Sequence, residues 1–137
     1  MKTAFEILNE GNYSLVIKNS DKIYTYTSRG VADLYNIISS GSQILNGSEI
    51  ADKIIGKGAA SLMIKGGVKW VETHTISSNA LELFRLNGID VKFGLKVPFI
   101  ENRAKTGWCP VETICKDCCD IDKLFDLIEE FILESKN

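Results

Sequence analysis

Nowhere does this sequence run apolar for the ~20 residues that crossing a bilayer requires. Its longest apolar-leaning region, Ala51 to Ile64, is broken by Asp52, Lys53 and Lys57. The opening residues, Met1-Lys2-Thr3-Ala4-Phe5-Glu6, carry an acid early and no long apolar run, which reads against a secretory signal. A surplus of either charge is also lacking. Sixteen basic and 18 acidic residues leave a net −2, no field to gather nucleic acid or an anionic membrane. That sum still leaves room for a basic pocket in one cleft. Cysteines are not spread as a disulfide scaffold would need: Cys109, Cys115, Cys118 and Cys119 crowd near the C-terminus, so reduced thiols are expected. These absences together predict a cytoplasmic chain with neither membrane nor nucleic acid as partner.

What is present suits one folded domain over residues 1–137. The length is close to the commonest domain size, and 45% hydrophobic with 25% charged residues argues against disorder. Ala4 to Glu10 reads as an amphipathic helix ended by Gly11. Ser14–Lys18 and Lys22–Thr27, joined by Asn19-Ser20-Asp21, read as a hairpin. Val31 to Ser39 follows as a helix, Gly41 to Ser48 as a loop. A second long helix is expected from Ser48 or Glu49 to about Ile64, weak in propensity at Gly56 and Gly58 and small-sided through Ala59 and Ala60 as well. Small residues in a helix usually mean that another backbone or a ligand comes close. Val68–Thr73 is a strand; Ser77-Ser78-Asn79 caps a helix to Asn87, with Asn79 and Glu82 in capping-box spacing. Asp90–Val97 is a further strand, Phe99–Asp120 is irregular, and Ile121–Leu133 is a helix with its apolar stripe in the core. The predicted order is α-β-β-α-α-β-α-β-α. The hairpin feeds parallel strands through right-handed crossovers, giving a mixed sheet with helices on both faces, a three-layer α/β/α domain.

Three motifs carry a resemblance: Ala-Asp-Lys-Ile-Ile-Gly-Lys-Gly-Ala-Ala (51–60), Asn102-Arg103, and Cys109-Pro110-Val111-Glu112. Together they resemble the signature of a small domain-of-unknown-function family that shares the cytidine deaminase fold and lacks its zinc site. The resemblance runs from the hairpin to the last helix. It departs from the pattern at Gly58, usually alanine, at Val111, usually methionine, and in the extra Cys115, Cys118 and Cys119. It implies a cytidine-deaminase-like fold. Zinc deaminases hold their metal with one His or Cys and two Cys beside a proton-shuttling Glu. Here the first helix start offers Gly-Lys-Gly-Ala around Lys57, and the second Thr75-Ile76-Ser77-Ser78-Asn79. Deamination by zinc hydroxide at that place is unsupported, and no cofactor is expected.

The candidate site residues are Asp52, Lys53, Lys57, Asn102, Arg103, Cys109 and Glu112. Read on one helix, Lys53 and Lys57 stand i, i+4 on a shared face, with Asp52 to one side. Two lysines side by side favour an anion between them, or one lysine with a lowered pKa as base; a solvated helix face is the alternative. Arg103 can fork two hydrogen bonds to a phosphate or carboxylate and Asn102 can read an amide or hydroxyl; a loop-tying pair is the alternative. Cys109 beside Lys or Arg would be a reactive thiol with Glu112 as base; otherwise Cys109 is a small buried hydrophobe and Glu112 a structural partner. The cysteines as metal ligands lack a second chelating pair. His74 reads as a hydrogen-bonded structural residue, and Ser28-Arg29-Gly30 as a turn able to hold an anion.

Two functions follow. The leading one is a small-molecule site for a phosphorylated or nucleotide-like anion, between the Asp52–Lys57 segment and the Asn102–Glu112 loop. If a reaction follows binding, Lys53, Lys57, Cys109 and Glu112 are the catalytic candidates, for metal-independent hydrolysis or group transfer. The rival is a non-enzymatic ligand, redox or metal sensor working through the C-terminal cysteines. A homo-oligomer is compatible with either.

Overall fold

The computed structural model describes residues 2–28 and 30–135; the anion-holding reading of Arg29 lies outside them. The elements are α1 (Ala4–Glu10), β1 (Leu15–Asn19), β2 (Lys22–Tyr26), α2 (Ala32–Ser39), β3 (Glu49–Ile55), α3 (Lys57–Gly66), β4 (Trp70–Ser77), α4 (Ser78–Leu86), β5 (Val91–Val97), α5 (Pro110–Cys115) and α6 (Ile121–Ser135). One five-stranded sheet runs in the order β2-β1-β3-β4-β5. The hairpin strands pair antiparallel, β1 pairs antiparallel with β3, and β3, β4 and β5 run parallel.

Helices cover both faces, unequally. On one face α1 packs with Ala4 and Leu8 against Val16 and Ala51. The larger core lies on the other, where Leu34, Leu62, Met63, Phe84, Leu124 and Ile128 meet Ile17, Ile50, Val71 and Ile76 of the sheet. Helix α3 is central there, touching α2, α4, α5 and α6. Lys57 through Met63 are all buried, and the small residues Gly58, Ala59, Ala60 and Ser61 let four neighbours come close.

The long helix expected from Ser48 or Glu49 is a correction. Its first half is the strand β3, and the true helix begins at Lys57. The cause is a change of inward face. Ile50 and Ile55, five apart, enter the same core, as do Val71 and Ile76 on β4; strict alternation would separate them. The reset falls where Asp52 Oδ1 accepts from Ile54 N (3.3 Å) and Thr73 Oγ1 donates to Thr75 O (3.1 Å). A strand that switches faces shows apolar spacings near four, which imitate a helix.

Other boundaries shift less. Ser77, not Asn79, caps α4, its Oγ accepting from Ala80 N (3.1 Å). The irregular 99–120 stretch contains the short helix α5. His74 sits inside β4 rather than at its end. Its Nε2 is 2.5 Å from Asn9 Oδ1 and its ring packs on Phe5.

Candidate functional site

Two parallel strands, β3 and β4, each end by turning into a helix, so the N-termini of α3 and α4 lie side by side at the carboxyl end of the sheet. Helix N-termini carry unsatisfied amides and partial positive charge. Ile100, just past the end of β5, brings a further amide. Into this junction α5 sends one side chain. Glu112 is 1% exposed, and its Oε1 accepts from Lys57 N (2.8 Å) and Ser77 Oγ (3.2 Å) while Oε2 accepts from Ile100 N (2.8 Å). Gly56 makes room: a Cβ there would stand 3.4 and 3.5 Å from the two carboxylate oxygens and 3.2 Å from Ile100. With both oxygens engaged by three donors, the Glu112 carboxyl is fixed in place by the protein itself.

Lys57 turns its backbone amide to Glu112 and its side chain elsewhere. The residue is 3% exposed; its Nζ donates to Lys116 O (3.1 Å) and reaches Cys119 Sγ at 3.9 Å. The loop that leads to α5 is closed on itself. Phe99 and Trp108 stack with centroids 4.9 Å apart, Glu101 bridges Trp108, and Cys109 N donates to Ile100 O (2.7 Å). Asn102 ties the turn: Oδ1 accepts from Thr106 N (3.0 Å) and Nδ2 donates to Thr106 Oγ1 (3.1 Å).

Of the residues singled out from sequence, Lys57 and Glu112 meet directly. Asn102 and Arg103 lie on the loop that follows Ile100, Arg103 exposed on its turn. Cys109 is half-buried at the N-cap of α5. Lys53 does not share a helix face with Lys57; it is exposed on β3. Asp52 lies on the adjacent position of β3, paired with Leu15 and Thr73, and burial pushes its carboxyl up to about 7.

Sequence reading missed two members. Ser77 appeared as a cap and nothing more, and Cys119 as one thiol of four; both are assembled by distant parts of the chain. Cys115 is fully buried, and burial raises its thiol to about 12. Among the described residues no three His, Cys, Asp or Glu side chains group as a metal site, and no helix is long and apolar enough to cross a membrane. Two surface hollows lie apart from the junction. One, of about 550 Å³, is lined by Ile7, Tyr13 and Ile23; the other, of about 310 Å³, is at the opposite end of the parallel strands beside Ser48 and Trp70.

The fold and this junction define an α/β domain with an open five-stranded mixed sheet. Residues 3–132 match the model of the TM1506 domain of unknown function, DUF1893, and the chain belongs to that family. A solved DUF1893 family protein from Thermotoga maritima shares its fold, with a TM-score of 0.85 over 93% of this chain and 86% of that one, at 24% identity. No curated protein matches the chain.

Proposed function

We propose that this DUF1893 domain is a zinc-independent binding domain of cytidine-deaminase-like architecture, and that it takes the phosphate or carboxylate of a nucleotide-like ligand where α3 and α4 begin. The sheet order, with helices opening directly after β3 and β4, supports the deaminase-like reading by analogy. The observation that carries the binding reading is Glu112. Two amides and a hydroxyl converge on an oxyanion at two helix N-termini, a geometry made for anions, and the protein fills it with its own carboxylate. A ligand anion competes with that internal one. It displaces Glu112, α5 moves aside, and Arg103 on the adjoining loop is the guanidinium free to fork onto a phosphate. Lys53 and Asp52 belong to β3 and stand outside this contact.

Removing an internal competitor raises apparent affinity by the inverse of the fraction of time the site stood open. Glu112→Ala is therefore expected to bind phosphate or a nucleoside monophosphate roughly tenfold or more tightly than the parent. Titration calorimetry on the folded variant, checked by circular dichroism, measures this. Arg103→Ala in the same background should weaken it again. A folded Glu112→Ala variant that binds neither probe better than the parent overturns the reading and leaves Glu112 as a structural plug.

A further inference from the structure

The buried ammonium of Lys57 lacks an ionic partner. Its three N–H donors have Lys116 O and Cys119 Sγ as acceptors. Among the described residues no carboxylate lies within ion-pair reach of it; Glu112 spends both oxygens on amides and Ser77. Asp117 and Asp120, the acids flanking Cys119 in sequence, are exposed, as is the Lys116 side chain, whose Nζ lies over the Trp108 ring. Burying a cation without a counter-charge is costly. An ionised Cys119 supplies that charge, and a neighbouring ammonium favours the thiolate. Cys119 is also the exposed member of the four thiols, so reagents reach it. The others are placed differently: Cys115 is fully buried, Cys109 caps α5, and Cys118 Sγ donates to Asp120 O (3.7 Å).

We propose that Cys119 is a modification site for hydroperoxides, its thiolate held by the buried Lys57 as positioning residue. The thiolate sulfur attacks the terminal peroxide oxygen. An S–O bond forms as the O–O bond breaks, sulfur gives up two electrons, and the departing hydroxide or alkoxide takes a proton from solvent and leaves as water or alcohol. The sulfenic acid is reversible. A small thiol displaces its oxygen as water to form a mixed disulfide, and a second small thiol attacks that disulfide to restore Cys119. The inference is independent of anion binding at Glu112.

The test is a timed exposure of the full chain to hydrogen peroxide with dimedone trapping, alongside iodoacetamide labelling, read cysteine by cysteine by mass spectrometry. Cys119 is expected to react roughly tenfold faster than Cys109 or Cys118 near neutral pH. Lys57→Met, which keeps the apolar stem, should bring Cys119 down to its neighbours' rate, and Lys57→Arg should keep most of the advantage. Equal rates in the parent protein, or an unchanged Cys119 rate in folded Lys57→Met, overturn the proposal. Should Lys57→Met fail to fold, Lys57→Gln takes its place, and an unchanged Cys119 rate in that folded variant overturns the proposal.

Discussion

Gly58 has no room for a side chain. A Cβ built on it would stand 2.3 Å from Val111 Cγ1, with Val31 and Ile128 at 3.6 Å. Two of the positions at which this chain departs from the pattern it resembles, Gly58 for alanine and Val111 for methionine, are thus in contact across α3 and α5. A branched valine needs the space that the glycine leaves; a flexible methionine can bend away from an alanine. Gly58→Ala should gain about 1 kcal/mol of helix propensity and lose about 1–3 kcal/mol to overpacking, for a net loss. Adding Val111→Met should recover much of it. Urea denaturation of the two single variants and the double variant measures the coupling, expected to exceed about 0.5 kcal/mol. Costs that simply add would show that the two side chains do not compete for one space. Each residue was visible in the sequence, but their contact, across more than fifty positions, was not.

At the scale of elements, α4 and α5 depend on each other through Ser77. Its Oγ accepts from Ala80 N to cap α4 and donates to Glu112 Oε1. Ser77→Ala removes both bonds. The cap alone is worth about 1 kcal/mol, and the lost donor to a buried carboxylate adds about 1–2 kcal/mol. A loss near 2–3 kcal/mol in chemical denaturation is expected; a loss under about 0.5 kcal/mol would mean that water or another donor replaces the hydroxyl. Most elements were legible beforehand. The α1 and α6 stripes, the hairpin turn and the stop at Gly11 are local signals, written in residues close in sequence. The β3 strand was not, because the switch of its buried face depends on neighbours on β1 and β4. The short α5 was not, because its register is set by where Glu112 must reach.

For the whole molecule, Asp52 ties stability to pH. It lies on β3 between Leu15 and Thr73, and burial raises its carboxyl from the ordinary value to about 7. Between about pH 4 and pH 7 the folded state keeps a proton there that the unfolded state releases. Stability from this residue is therefore full at acidic pH and declines as pH rises through that window. Asp52→Asn keeps an oxygen to accept from Ile54 N and has no proton to lose. It should flatten this decline and melt higher than the parent at pH 8. Thermal unfolding from pH 4 to pH 8 measures both; parallel curves for the two proteins would show that Asp52 titrates normally.

The sequence by itself determined the α/β class, the hairpin, the helix stripes and the family motifs, because hydrophobic period, turn chemistry and short motifs are local properties of the chain. It also pointed to Lys57 as a partner for an anion and to Glu112 as a base, from residue type alone. Tertiary structure alone decided what those two residues do. Lys57 meets Glu112 through its backbone and Cys119 through its side chain, and Glu112 faces two amides and a hydroxyl from three separate elements. Such partnerships join residues tens of positions apart, and the packing of α5 and the β5 exit against two helix N-termini creates them.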